Sequence, residues 1–254
     1  MSKIATWCHG SVQNIRADQD LHKYVADASK LNSAIDEIAK IVPGHYASES
    51  RIADILAKLG KTASANYVRD KLPTTPKLRF GELGEMLAAS WIADYSAYQT
   101  INKLRWKDHR NMAMRGDDIL AIAMPPGGQM QFLKGEVKSR KTLDGTTVRE
   151  ARLALRASRN RPTPHALAAL ADRYNEMGHA ALSDAILTYQ YKLGIRLDQV
   201  THFIFTFSGN DPSSVLVTDM TAYRGRVKQV VVALHVGDPA KFTSRVFRKV
   251  IANG

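Results

Sequence analysis

The chain has 254 residues, 44% of them hydrophobic, which is enough to bury a substantial core, so disorder is not the expected state. A net charge of +12 with a pI near 9.8 favours a polyanionic partner, nucleic acid ahead of an anionic membrane surface. No apolar run approaches the roughly 20 residues needed to span a bilayer, and the opening MSKIATWCHGSVQN lacks the apolar stretch of a signal peptide, so a cytoplasmic chain without membrane association is expected. The single cysteine, Cys8, leaves no internal disulfide and no cysteine-based zinc site.

Leu31, Ile35, Ile38 and Ile41 recur at helical spacing, and Pro43-Gly44 is expected to stop that helix near Val42. A second helix is predicted from Glu49 to Leu59, with Ser48 as N-cap and Gly60 as the stop. Gly60-Lys61-Thr62 resembles the end of a phosphate-binding loop. That motif requires a glycine where Ile55 stands and a preceding strand, so it is rejected. Leu72-Pro73-Thr74-Thr75-Pro76 is a non-helical joint, dividing an N-terminal helical region (1–76) from the remainder (77–254).

A third helix is predicted to begin near Gly81, with Leu83, Met86, Leu87 and Trp91 inward and Glu82 and Glu85 as neighbours on its first turn. Acidic residues also suit a helix N-terminus for dipole reasons alone. Two apolar runs follow, Ile119–Met124 and Gln131–Val137, separated by Pro125-Pro126-Gly127-Gly128, and read as a pair of strands. Alternation along the second places Lys134, Glu136 and Lys138 on one face. Two or three helices fit Arg149–Leu193, broken at Arg161-Pro162-Thr163-Pro164 and near Gly178. Val200–Ser208, Ser214–Thr218 and Gln229–Val236 read as strands, and Pro239–Val250 as a closing helix. Helices, strands, helices, strands and helix in that order predict an α/β fold, a central mixed β-sheet flanked by helices with an N-terminal helical appendage.

The chemistry concentrates between residues 105 and 140. Asp118 opens one strand, and Glu136 and Lys138 point the same way from the next. A phosphodiester resists hydrolysis because the attacking water must approach an already anionic phosphorus; a divalent metal neutralises charge, activates water and aligns the reactants. Magnesium takes oxygen ligands, commonly one or two carboxylates plus waters and substrate phosphate. Asp118 and Glu136 would supply the carboxylates and the Val137 carbonyl a further oxygen, while Lys138 would orient water or stabilise charge on the phosphate. Asp117 and Asp118 are also credible turn residues ahead of a strand.

Between Lys138 and Arg173 nine Lys or Arg face only Asp144, Glu150 and Asp172. Lys138, Arg140, Lys141, Arg149, Arg152, Arg156, Arg159 and Arg161 are therefore candidate contacts to a nucleic-acid backbone, positioning it without reading sequence. Arg105, Lys107, Arg110 and Arg115 offer further phosphate contacts, though ordinary surface charge explains them equally well. The histidines are scattered and no G-x-S-x-G elbow is present; His109 is the one histidine near the proposed site and has no evident catalytic role.

The order G-E-x-x-E at Gly81 to Glu85, G-x-D at Gly116 to Asp118 and E-x-K at Glu136 to Lys138 resembles the PD-(D/E)xK nuclease superfamily. The block KLRFGELGEMLAASW, LRWKDHRNMAMRGDDIL and LKGEVKS is more narrowly similar to the HamA family, nuclease subunits of the bacterial Hachiman anti-phage defence system. That resemblance implies a restriction-endonuclease-like core and a magnesium-dependent DNA nuclease, with manganese as an alternative ion, working in a heteromeric complex with a helicase subunit, HamB. Carried over, Asp118 and Glu136 bind metal, Lys138 is the active-site lysine, and Glu85 or Glu82 completes the acidic set. The superfamily's proline is missing, since Asp117 stands before Asp118, so the choice between the two aspartates stays open, with Asp118 favoured. The competing expectation is a non-catalytic DNA-binding or adaptor subunit of a helicase complex, in which the acidic residues are structural.

Overall fold

The computed structural model describes residues 4–112 and 116–253. Its frame is one mixed sheet of seven strands in the order β1-β2-β7-β6-β5-β4-β3. Strands β2 (Gln19–Ala26), β7 (Lys228–His235), β6 (Val200–Ser208) and β5 (Gln131–Arg140) run parallel to one another. Strand β1 (Cys8–Arg16) joins β2 as an antiparallel hairpin, and β4 (Ile119–Ala123) and the two-residue β3 (Gln99–Thr100) complete the other edge antiparallel. Every residue of β6 is buried, as expected for a strand covered on both faces.

Helices α1 (Leu31–Tyr46), α3 (Pro76–Tyr95) and α8 (Pro239–Asn253) cover one face, packing Ile38, Leu87, Trp91 and Phe247 against Phe203, Phe205 and Phe207. On the other face α4 (Gly145–Asn160) and α7 (Ser213–Ala222) pack on Ile204 and Val231, while α5 (Pro164–Glu176) and α6 (Ala180–Thr188) pack on Leu120 and Phe132. Helix α2 (Glu49–Lys71) breaks at Gly60, whose φ of 84° and ψ of 175° end one helical segment and start the next. That is the stop the sequence announces, followed by a second segment it does not.

The α/β arrangement and the mixed sheet match the expectation; three local readings do not. Residues 8–26 form a hairpin where no strand was foreseen, because β1 is exposed on both faces for most of its length and shows no alternation. The part before residue 76 is therefore not wholly helical: it carries two strands, and β2 pairs with β7 along Gln19–Val25. Residues 214–218, expected as a strand, lie within α7, whose Leu216 and Met220, four apart, enter the core. Two helix limits also shift. Pro43 lies inside α1, which continues to Tyr46. Helix α3 begins at Pro76 rather than near Gly81, with Thr75 accepting the Leu78 N–H as its N-cap.

Candidate active site

Alternation along β5 turns Leu133 and Val137 toward α3 and leaves Lys134, Glu136 and Lys138 on the face that meets α4. Antiparallel pairing sets Ile119 against Gly135, so Asp118, just ahead of β4, comes level with Glu136. Its Oδ2 accepts the Val137 N–H at 2.9 Å, which fixes the carboxylate against the strand. From across the sheet edge α3 brings Glu85. Close approach of α3 to β5 depends on Gly84: a Cβ there would overlap Ser139 Oγ and press on Val137.

Asp118 is the common neighbour of the other two carboxylates. Burial first, and then the Asp118 charge, push Glu136 up to about 7, against the opposing pull of Lys138, whose Nζ lies 3.1 Å from Glu136 Oε2. Glu85 is likewise pushed up to about 7, by burial and, more weakly, by Asp118, against the opposing pull of Lys103. Lys103 Nζ lies 3.0 Å from Glu85 Oε2 and pairs with this carboxylate. Among the described residues no three His, Cys, Asp or Glu side chains form a ready-made cage. Magnesium does not require one, since one or two carboxylates and waters suffice. Two buried carboxyls, each pushed up to about 7 and each beside Asp118, fit a hard divalent cation that would neutralise them. Asp118, Glu136 and Glu85 are the residues that would hold it.

The two open choices between neighbouring acids resolve differently at the level of contacts. Asp117 is committed to other partners: its Oδ2 accepts the Thr163 N–H at 3.0 Å at the start of α5, and its Oδ1 lies 3.5 Å from Lys134 Nζ. Glu82 is also engaged, accepting the Tyr46 hydroxyl at 2.5 Å and pairing with Lys107. Burial raises its carboxyl despite these partners. Asp117 and Glu82 are each tied to two other residues and read as scaffold, whereas Asp118 is held by the Val137 N–H and Glu85 by Lys103 alone. Sequence gives no hint of Lys103 or Tyr46; their roles exist only because α1 and the turn at Lys103–Trp106 fold over α3.

The basic set divides as well. Arg140, Lys141, Arg149, Arg156 and Arg159 are exposed. Arg152 is buried: its Nη2 lies 2.5 Å from Asp219 Oδ2, it donates to Gln229, and its guanidinium sits 4.9 Å over the Tyr223 ring. It holds α4 to α7 and is not a phosphate contact. Arg161 turns back on backbone, donating to the Ile195 and Arg159 carbonyls at 2.5 and 3.0 Å. It braces the end of α4, where Ser158, Arg159 and Asn160 all have φ between 54° and 65°. Lys134 Nζ and His202 Nε2 meet the Ala157 and Asn160 carbonyls of this turn at 3.0 and 3.1 Å. Of the loop cations, Arg105 binds the Gly44 carbonyl and Lys107 is committed to Glu82. Arg115 lies outside the described residues, and His109 accepts the Asn111 N–H on an exposed loop.

The molecule is of the α/β class, a seven-stranded mixed sheet flanked by helices. Within that class the chain belongs to the HamA family, whose model matches residues 3–250, and so to Hachiman anti-phage defence. No curated protein matches the chain. Among the described residues no helix is long and apolar enough to cross a membrane.

Proposed function

We propose that the chain is a magnesium-dependent deoxyribonuclease, cytoplasmic, and the effector of a Hachiman complex with a helicase subunit. The observation that carries this reading is Asp118 acting on both Glu85 and Glu136, with both glutamates pushed up to about 7 and Lys138 beside Glu136. Negative charge concentrated in a half-buried site is costly unless a cation is meant to enter it. The metal, when bound, supplies charge neutralisation and an activated water. The chain's own groups do the rest. The Val137 N–H holds Asp118 in place, and Lys138 is within reach to orient the attacking water or meet charge building on the phosphate. The exposed Arg140, Lys141, Arg149, Arg156 and Arg159 hold the backbone on either side.

Incubation with plasmid and magnesium, with and without the helicase subunit, tests the reading. Glu136→Ala and Lys138→Ala are each expected to lower cleavage by about a hundredfold or more, as loss of a transition-state contact does. DNA binding without cleavage in the parent, or unimpaired cutting by both variants, would leave the adaptor reading standing instead.

A further inference from the structure

Lys134 and His202 are register partners on β5 and β6, and both are buried. Apolar side chains would fill those positions without the desolvation that a buried amine and imidazole incur. What the two polar groups reach is a single turn at the end of α4. Lys134 Nζ donates to the Ala157 carbonyl at 3.0 Å and His202 Nε2 to the Asn160 carbonyl at 3.1 Å. Arg161 binds the two carbonyls between them, that of Ser158 through its backbone N–H at 3.2 Å and that of Arg159 through its Nη1 at 3.0 Å. All four carbonyls of the turn are held.

The turn needs holding. Ser158, Arg159 and Asn160 have φ of 54°, 57° and 65°, three successive residues with a Cβ in the left-handed region. That conformation is unfavourable for Ser158 and Arg159, less so for Asn160, and it persists where surrounding contacts impose it. Lys134 is also where this turn meets the acids. Its Nζ lies 3.5 Å from Asp117 Oδ1, Asp117 directly precedes Asp118, and Glu136 is two residues along β5. The turn carries the exposed Arg159 and follows the exposed Arg156. One ammonium thus ties the stretch that bears these arginines to the stretch that bears Asp118.

We propose that Lys134 is a positioning residue: by gripping Ala157 and Asp117 together it fixes Arg156 and Arg159 against Asp118 and Glu136, and so sets which phosphate of the bound strand stands at the acids. Lys134 acts through these groups and not on the reacting atoms. Its charge is used for placement, which a packed apolar side chain could not supply. The inference rests on the nuclease reading of the carboxylates, and its test separates the two.

Lys134→Met combined with Asp117→Asn removes both charges, so neither stays buried alone, and the asparagine keeps an acceptor for the Thr163 N–H. Well below its melting temperature the double variant is expected to cut saturating plasmid about a hundredfold more slowly than the parent, the loss that a misplacement of about 1 Å brings. Its KM for DNA, and its magnesium affinity by calorimetry, should match the parent's. A role confined to stability would lower the melting temperature and leave turnover of the folded chain as it was. Arg161→Gln loosens the turn from its other end with Asp117 and β5 intact, and should show the same split to a smaller degree, so the inference survives a double variant that fails to fold. Crystal structures of the variants should show residues 158–160 out of the left-handed region. An unmoved turn, turnover equal to the parent's, or loss of magnesium binding in the double variant overturns the positioning role. A displaced turn in a chain whose parent never cuts keeps the tie and discards the nuclease.

Discussion

At the scale of single residues, Asp117 and Asp118 are adjacent in sequence and opposite in role. Lys134 Nζ is buried and Asp117 is its carboxylate partner, at 3.5 Å. Removing one member of such a pair leaves an uncompensated charge, at a cost of about 3–5 kcal/mol. Asp117→Ala is therefore expected to lower the melting temperature by about 6 °C or more in a chain of this size. Asp118→Asn retains an acceptor for the Val137 N–H and relieves repulsion. It should melt no lower than the parent in chelator while losing magnesium binding by calorimetry; equal destabilisation in the two variants would refute the division. The glutamates predict a pH dependence. Both are raised from 4.5 to about 7, so the folded chain binds more protons than the unfolded one across that interval. Their contribution is fully present below about 4.5 and lost as pH rises through about 7. In chelator the melting temperature should fall between about pH 5 and about pH 7.5, and fall less in a Glu85→Gln, Glu136→Gln double variant. Magnesium added at the upper end should restore it, because binding to the ionised carboxylates stabilises the folded state.

At the scale of elements, the site depends on how closely α3 lies on β5. Gly84 faces Ser139, and Gly135 is similarly confined, since a Cβ there would come within 2.8 Å of Ile119 Cβ. Gly84→Ala is expected to push α3 outward, lower stability and weaken magnesium binding together; Ser139→Gly in the same chain should recover both, and failure to recover would show that another contact sets the spacing. The elements were legible in sequence where a side-chain period was enforced by one dry face, as in α1 and α8, or where an apolar run was bounded by turn residues, as in β5. They were illegible where the enforcing surface is remote. Strand β1 has no dry face to write an alternation, and α7 carries Val215 and Val217 because they pack against the cluster of Ile204 and Val231, not because it is extended. Asp118, Glu136 and Lys138 were readable because strand geometry alone aligns them. Lys103, Tyr46 and the inward turn of Arg152 were not, because each meets a partner more than 15 positions away, 36 in the case of Tyr46 and Glu82 and 67 for Arg152 and Asp219.

At the scale of the whole molecule, the N-terminal 76 residues share the sheet and the core with the rest. Ile4, Trp7 and Tyr46 are buried in the same cluster as Phe205 and Phe247. A chain beginning at residue 77 loses two strands and exposes the β7 edge; it is expected to be insoluble, or to lack a cooperative thermal transition by circular dichroism. A well-folded product would mean that the hairpin and first helices are an accessory layer.

The pairing of β2 with β7 also sets a clock. These strands lie side by side in parallel, yet residues 19–25 wait for partners at 229–235. On a ribosome the first strand emerges long before its neighbour exists, and contacts so distant along the chain are slow to form even afterwards. The sheet that supports Asp118 and Glu136 therefore cannot be completed until nearly the entire polypeptide has been translated. A cell making this protein carries nascent chains whose acids are already synthesised but whose scaffold is unfinished, a delay written into strand order rather than into any inhibitor.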